Sequence, residues 1–302
     1  MSTMTVDKAG PTRTVKYGSM SRDRAWALRW SYFFLTLFAI FSLVPPLYML
    51  ITSLKGSAEI SAATNPWWVF HPTLENYAGL LTSNQFLRFF FNSAMVSIIV
   101  VIITMLISIP AAFALSRMKF WGSATLATGV FLTYLIPDSL LFIPLFKMFA
   151  LIGDVTGIQL INRWYVLLFI YPTLTVPFCT WIMIGYFETT PIELEEAARI
   201  DGATRWQVFR HVALPVAKPG LAVAFILAVI FSWNNFVFGI VLAGRETRTL
   251  PVAVYNMISF DQLSWGPLAA AALIVTLPVL LLTVFAQRQI VAGLTAGAVK
   301  GG

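Results

Sequence analysis

The chain has 302 residues, of which 58% are hydrophobic and only 11% are charged. Because soluble globular domains carry about 25% charged residues, this composition excludes an ordinary soluble domain. The formal net charge of +7 is compatible with nucleic-acid binding, but the basic residues are spread between hydrophobic stretches, so we expect no nucleic-acid partner. The single cysteine, Cys179, excludes an intramolecular disulfide framework.

Six hydrophobic segments exceed the roughly 20 residues that a helix needs to cross a bilayer. Five have charge-free cores, and the third contains Asp138 and Lys147. We therefore predict an all-α membrane protein whose membrane domain covers residues 30–290. The six predicted transmembrane helices are at residues 31–54, 91–116, 124–150, 162–187, 219–243 and 264–286.

The two termini are predicted to be cytoplasmic tails. Residues 1–29 are polar and basic and lack the short apolar core of a secretory signal, so we expect a disordered tail. Residues 291–302 form the second predicted tail. With both termini inside, fourteen of the 20 Lys and Arg residues lie on the inner side, as expected for cytoplasmic loops. This N-in, C-in orientation places residues 188–218 in the cytoplasm.

Paired tryptophans, Trp67 and Trp68, lie in the longest predicted outer segment. Aromatic pairs at a membrane boundary usually contact lipid headgroups, which makes membrane lipid an expected partner. Contact with a delivery protein is the alternative, and the two are compatible.

A carboxylate interrupts the third predicted span at Asp138, directly after Pro137. An ionised carboxylate in the membrane centre costs about 2.5 to 3.5 kcal/mol, so it must face something polar. Two interpretations remain open: Asp138 restarts a broken helix as its cap, or it lines a cavity and contacts solute hydroxyl groups.

The segment between the fourth and fifth spans is polar and carries two helix-start patterns. In the first pattern, Thr190 is the predicted N-cap, Pro191 takes the first helical position and Glu193 completes a capping box. Gly202 is predicted to end this short helix. The face between these ends combines small, apolar and acidic residues, namely Leu194, Ala197, Ala198 and Asp201.

A second short helix is predicted to begin at Thr204, because Gln207 follows at capping-box spacing. Trp206 and Phe209 then form an apolar stripe with Val212 or Ala213. The helix is predicted to end at Leu214 and Pro215.

This segment resembles the EAA loop of membrane subunits of ATP-binding-cassette importers. The matching positions are Glu196, Ala197, Ala198, Gly202, Val212, Leu214 and Pro215. The resemblance continues through NSAMVS from Asn92, AAFALSRMKFWG from Ala111 and SWNNF from Ser232. QRQIVAGLTAGAVKG, from Gln287, is similar to the maltose-type second permease subunit of the carbohydrate branch.

The resemblance implies a sugar-importer permease subunit in a bacterial cytoplasmic (inner) membrane. Its implied partners are a second homologous permease, two ATPase subunits, an extracytoplasmic solute-binding protein and a sugar. ATP and Mg would be bound by the ATPase, leaving no cofactor in this chain. The implied ATPase-coupling residues are Glu193, Glu196, Ala197, Ala198, Arg199, Asp201, Gly202, Ala203, Trp206, Phe209, Leu214 and Pro215. Lys300, in the final tail, is an additional expected contact with the ATPase.

The fifth predicted span contains Trp233, Asn234 and Asn235 near its middle. An indole can stack on a sugar ring and amides can pair with its hydroxyl groups. Membrane Asn and Trp also serve helix packing, so both interpretations stay open. The resemblance implies that most sugar contacts come from the companion permease.

We do not expect this chain to catalyse a reaction by itself. The sequence has no GxxxxGK[ST] phosphate loop, and His71 and His211 lie on opposite predicted sides, so we expect no catalytic residue and no metal site. The alternative function is a secondary sugar transporter driven by an ion gradient. That class predicts inverted repeats and several membrane carboxylates, whereas only Asp138 is present in a predicted span.

Overall fold

The computed structural model describes residues 18–62, 64, 67–258 and 264–298, and the regular structure of these residues is entirely helical. In chain order the helices are α1 (Gly18–Ser53), α2 (Ser57–Ile60), α3 (Glu75–Thr82), α4 (Asn84–Arg117), α5 (Ser123–Tyr134), α6 (Asp138–Thr156), α7 (Tyr165–Thr189), α8 (Ile192–Ile200), α9 (Arg205–Val208), a π-helical turn (Phe209–Ala213), α10 (Leu214–Val216), α11 (Lys218–Asn234), α12 (Val237–Leu242), α13 (Leu250–Asn256) and α14 (Trp265–Ala298).

The chain divides into two compact units at residue 49. The described part of the first unit consists of helix α1, which is continuous through Pro45 and Pro46. The second unit, residues 50–302, contains the other helices.

The predicted class, a multi-pass all-α membrane protein, is confirmed. Among the described residues, five helical segments are long and apolar enough to span a bilayer: Arg24–Ser53, Asn84–Arg117, Asp138–Thr156, Tyr165–Thr189 and Trp265–Phe285. A sixth span is obtained when Arg205–Val216 and Lys218–Asn234, which meet at a 78° bend, count as one.

Two predicted spans are each made of two helices. The span at 124–150 is interrupted before Pro137 and restarts at Asp138, as a proline inside a span predicts, because the residue preceding a proline is disfavoured in the α conformation. The break in the other span was not predicted. The span at 219–243 breaks at Asn235, whose backbone is extended with ψ 116°. The Asn235 side chain accepts a hydrogen bond from the Phe238 N–H at 3.3 Å, so it serves the next helix start instead of a helix interior.

The predicted disorder of the first tail is partly wrong. Helix α1 already begins at Gly18, because residues 18–29 contain no proline and extend the adjoining span by propagation. Helix α14 continues to Ala298, well into the predicted tail at 291–302. Residues 1–17 and 299–302 lie outside the described residues, and so does the expected contact Lys300.

Helices α4, α7 and α11 pack together in the second unit through small and hydroxylated side chains. Thr104 on α4 and Thr175 on α7 share a hydrogen bond of 2.6 Å, and the Ser108 hydroxyl donates to the Val176 carbonyl at 3.2 Å. Such bonds keep polar groups satisfied between membrane helices. At the α7–α11 contact, a Cβ on Gly220 would lie only 2.3 Å from an atom of the Tyr186 ring, so only glycine permits this approach.

Candidate functional site

The first candidate site is the coupling segment, which we define as residues 188–218. It connects α7 to α11 and contains α8, α9, the π-helical turn and α10. Its local structure explains how a short polar stretch is held in one orientation on a membrane bundle.

The start of α8 differs from the prediction. Pro191 is the N-cap residue, no side chain caps the helix, and α8 begins at Ile192. The Thr190 hydroxyl donates to the Tyr186 carbonyl at 3.2 Å and so closes the end of α7. The predicted capping box of Thr190 and Glu193 is therefore wrong, because that hydroxyl is used by the preceding helix.

The end of α8 agrees with the prediction. Gly202 has φ 88°, in the left-handed region where glycine has no steric penalty. The Ala203 N–H donates to the Ala198 carbonyl at 2.9 Å, and the Gly202 N–H donates to the Arg199 carbonyl at 3.1 Å. These two bonds form a Schellman motif, which fixes the direction in which the chain leaves α8.

The predicted capping box of the second helix is confirmed. The Gln207 N–H donates to the Thr204 hydroxyl at 3.3 Å, and the Thr204 N–H donates to the Gln207 side chain at 2.7 Å. The predicted end at Leu214 and Pro215 agrees with the structure to within one residue, since the helical path ends at Val216. The π-helical turn precedes Pro215, which has no N–H to give to a regular α-helical ladder.

A charged pair ties the coupling segment to the bundle. The Arg117 Nε donates to Glu195 Oε1 at 2.8 Å, and Arg117 Nη2 donates to the Thr190 carbonyl at 2.8 Å. The side chains are only 11% and 9% exposed, respectively. Arg117 is the last residue of α4, so this pair joins α8 directly to a membrane helix.

Neither Arg117 nor Glu195 is among the site residues predicted from the sequence. A signal was present, since Arg117 is the first charged residue after the long apolar stretch of the second predicted span. An ionised residue at that position needs a polar partner, but the sequence does not say which of the nearby acidic residues provides it.

An aromatic cluster provides the second attachment. Phe209 packs against Phe113 of α4 with ring centroids 4.9 Å apart, and against Trp206 at 5.3 Å. Phe209 is only 7% exposed and belongs to a core cluster that also contains Phe187. The prediction of Phe209 as a partner-contact residue is therefore wrong, because its side chain anchors the segment from within.

The outer surface of the coupling segment is open. Of the remaining predicted contact residues, the exposed ones are Glu193, Glu196, Ala197, Arg199, Asp201, Gly202, Trp206 and Pro215, whereas Ala198, Ala203 and Leu214 are half-buried. Large apolar side chains share this surface: Ile200 is 86% exposed, Trp206 63% and Leu194 47%. An apolar surface on a firmly attached segment is typical of a protein-binding site.

The second candidate site is a cavity of ≈ 370 Å³ in the second unit. It brings together two residues that the sequence singled out, Asp138 and Asn235. The other lining residues are Tyr134, Leu135, Ile136, Pro137, Tyr171, Leu174, Thr175, Phe231 and Ser232.

Asp138 is a half-buried residue at the first position of α6. The preceding Pro137 is the N-cap and no side chain caps this helix. The helix therefore restarts at Asp138, as the first interpretation has it, but the side chain does not cap it. Its position at the wall of the cavity agrees with the second interpretation.

The other two residues of the SWNNF motif do not line the cavity. Trp233 is buried, its Nε1 donates to the Val275 carbonyl of α14 at 2.9 Å, and its ring contacts Phe90. Its contacts are those of helix packing, which was one of the two interpretations left open for Trp233. Asn234 is exposed and lies outside the cavity lining.

An aromatic group borders the cavity. Tyr134 of α5 stacks on Phe178 of α7 with ring centroids 4.8 Å apart, and Phe178 meets Phe231 of α11 edge-on at 5.2 Å. Tyr134 and Phe231 are also lining residues, so the cavity combines aromatic surfaces with polar groups. That combination suits a polyhydroxylated solute.

Comparison with known proteins finds relatives along most of the chain. The chain is 34% identical over 260 residues to the sulfoquinovosyl glycerol transport system permease protein of Agrobacterium fabrum, covering 86% of this chain and 89% of the relative. It is also 34% identical over 270 residues to the trehalose transport system permease protein of Mycobacterium tuberculosis, covering 88% of this chain and 95% of the relative.

Its fold matches a chain in the crystal structure of a bacterial ABC transporter involved in the import of the acidic polysaccharide alginate. The TM-score is 0.75 at 21% identity, covering 93% of this chain and 99% of that chain. The family model of binding-protein-dependent transport system inner membrane components matches residues 105–295, which include the coupling segment and the cavity lining. The chain therefore belongs to this family of inner membrane components of binding-protein-dependent transport systems.

Proposed function

We propose that this chain is a permease subunit of an ATP-binding-cassette importer for a sugar or sugar derivative. It forms half of the translocation pathway and couples it to ATP hydrolysis by a separate ATPase subunit. The family match carries this conclusion, because it covers residues 105–295 and relatives named for sugar transport align along most of their length. The subunit acts as a transport component and not as an enzyme.

The coupling segment is the proposed ATPase contact. A lever must be rigid and must present a surface, and the segment meets both requirements. It is held by the Arg117–Glu195 pair and by buried Phe209, while Leu194, Ile200 and Trp206 stay open to a partner. The exposed Ala197 allows close approach of that partner, and Glu196 offers it a charged contact.

The proposed assembly contains this chain, a second homologous permease, two ATPase subunits and an extracytoplasmic solute-binding protein. We place it in the bacterial cytoplasmic membrane with both termini and the coupling segment inside, in agreement with the distribution of Lys and Arg. ATP and Mg belong to the ATPase subunits. The exposed side chains of Trp67 and Trp68 are then available to lipid headgroups on the outer side.

The proposed mechanism is alternating access. When ATP closes the two ATPase subunits, each coupling segment moves with its ATPase, and the membrane helices reorient around the solute. In this chain the movement enters the bundle through the end of α4, because Arg117 and Phe113 of α4 hold α8 and Phe209. Helix α4 also packs on α7, which contributes Tyr171 and Thr175 to the cavity.

Family membership does not support the alternative of a carrier driven by an ion gradient. Reconstitution into liposomes distinguishes an ATP-driven importer from a carrier driven by an ion gradient. We expect proteoliposomes containing the whole complex and its binding protein to take up sugar with ATP present and no ion gradient. Uptake that persists without ATP and stops when the proton gradient is collapsed would contradict the proposed function.

A further inference from the structure

We propose that the cavity at Asp138 selects for solutes without an acidic group. This inference rests on the proposed function and narrows it, because sugar acids and phosphorylated sugars would be disfavoured against neutral sugars. Asp138 is then a specificity-determining residue of the translocation pathway.

The first step is the charge inventory of the cavity. Its lining residues include one carboxylate, Asp138, and no lysine, arginine or histidine. No hydrogen bond or ion pair joins the Asp138 carboxylate to another of the described residues. Lys147 is the next cation along α6, and it is exposed. Nine residues at about 1.5 Å per residue put it roughly 13 Å further along the helix, too far to form an ion pair with Asp138.

The second step is the helix dipole, which opposes the carboxylate. Asp138 starts a 19-residue helix, whose N-terminus contributes the equivalent of about half a positive charge. A full negative charge on the carboxylate exceeds this half charge. The sum at this wall is therefore negative, and a half-buried position weakens solvent screening of it.

The third step is that the remaining groups can bind a neutral polyol. The Asn235 Oδ1 is used by the Phe238 N–H, but no described residue accepts a hydrogen bond from the Asn235 amide nitrogen. The Tyr134 hydroxyl is likewise without a hydrogen-bond partner among the described residues, and its ring offers a flat apolar surface. Hydroxyl groups of a sugar can donate to the Asp138 carboxylate and accept from these two donors.

An acidic group on the solute loses part of this set. Its carboxylate, sulfonate or phosphate oxygens can accept hydrogen bonds from Asn235 and Tyr134, but they cannot donate to the Asp138 carboxylate, whose charge repels them. Discrimination of this kind comes from the repulsive element as much as from attractive contacts.

The electrostatic claim is tested without knowing the solute. In the assembled complex, Cys179 is replaced by alanine and Leu174 of the cavity lining by cysteine. The rates of reaction with anionic, neutral and cationic methanethiosulfonates of similar size are then measured in lipid. We expect Asp138→Asn to lower the ratio of cationic to anionic rates by about tenfold or more.

Two controls separate charge from folding. Asp138→Glu retains the charge, so its ratio should stay within about twofold of the parent. A cysteine at Leu74, which is exposed and outside the cavity lining, reports the intrinsic reagent ratio and should not respond to Asp138→Asn. An unchanged ratio at position 174 in Asp138→Asn would overturn the inference.

The transport measurement provides an independent arm. Import of a carboxylated sugar by the unmodified complex at the rate of its neutral parent would also overturn the inference. If Asp138→Asn leaves the ratio of cationic to anionic reaction rates unchanged while ATP-driven sugar uptake by the unmodified complex is intact, only the proposed charge selectivity fails. If ATP-driven uptake is absent in the unmodified complex, the proposed function fails, whatever the thiol rates.

Discussion

The ion pair between Arg117 and Glu195 is the attachment of the coupling segment that we expect to be most sensitive to substitution. In Glu195→Ala, Arg117 keeps its bond to the Thr190 carbonyl but loses its charged partner. The guanidinium then remains in a site where its side chain is only 11% exposed. The coupling segment should consequently detach from α4 more often.

The burial of the pair sets the size of the effect. Removing one partner of a buried ion pair costs about 3 to 5 kcal/mol. Because both side chains retain some exposure and Arg117 retains one bond, we expect the lower end, about 3 kcal/mol. At about 1.4 kcal/mol per tenfold change, this corresponds to roughly a hundredfold larger population of the detached segment.

Hydrogen exchange of the complex in lipid measures that population, and solute-stimulated ATPase activity measures its consequence. We expect amides of α8 to exchange up to about a hundredfold faster in Glu195→Ala and stimulation by solute to be largely lost. Glu188→Ala is the matched control. Glu188 lies in the coupling segment, is exposed, is not among the predicted ATPase contacts and has no ion pair among the described residues, so its removal should change exchange only slightly.

The double variant Arg117→Met with Glu195→Leu distinguishes the pair from a general loss of structure. Replacing both charges by apolar groups leaves no unpaired charge, so this variant should recover part of the protection lost in the single variant. Normal exchange and normal stimulation in Glu195→Ala would refute the assignment of the pair as an attachment.

Two glycine positions give further predictions. Gly202→Val places a β-branched residue at φ 88°, at a cost of about 1 to 2 kcal/mol or more, and should reduce the coupled ATPase activity. Gly202→Asn should reduce this activity less, because Asn tolerates positive φ better. If both variants kept the activity of the parent, the role of this turn would be contradicted. A Cβ at Gly202 has open space, so the effect is conformational. Gly220→Ala forces a contact of 2.3 Å with the Tyr186 ring of α7 and should lower the free energy of unfolding by about 1 to 3 kcal/mol. Gly185→Ala meets nothing within 4 Å and should leave stability unchanged or raise it. Equal melting temperatures of the two variants would contradict the packing argument.

The coupling segment was largely predictable because its signals are local. The Schellman turn at Gly202 and the Thr204–Gln207 capping box depend on residues within one or two helical turns, and both formed as predicted. The start of α8 was less predictable. Thr190 can cap the following helix or close the preceding one, and only the tertiary structure selects the second option.

The long-range features were not predictable from one sequence. Glu195 and Arg117 are 78 residues apart, and several acidic residues near Glu195 compete for the same partner in a sequence-based argument. Phe209 was assigned to the open surface because its spacing from Trp206 predicts a common face. In the structure Phe113 packs against Phe209 and buries it, whereas Trp206 stays exposed.

Of the residues that the sequence suggested for a solute site, some line the cavity and others do not. A lone carboxylate after a proline indicated a polar environment, and Asp138 lies in the lining of the cavity. Trp233 fitted a sugar site equally well by residue type, but its partner is the Val275 carbonyl, 42 residues away. The helix break at Asn235 was not predicted, although two consecutive asparagines favour helix ends over helix interiors.

The sidedness and occupancy of the coupling segment test the central claim most directly. With Cys179 replaced by alanine and the exposed Ala197 by cysteine, a membrane-impermeant thiol reagent is applied to intact cells and to inside-out vesicles. We predict no labelling in intact cells, labelling in inside-out vesicles stripped of ATPase subunits, and protection when those subunits are restored. Labelling of position 197 from outside intact cells would contradict the account.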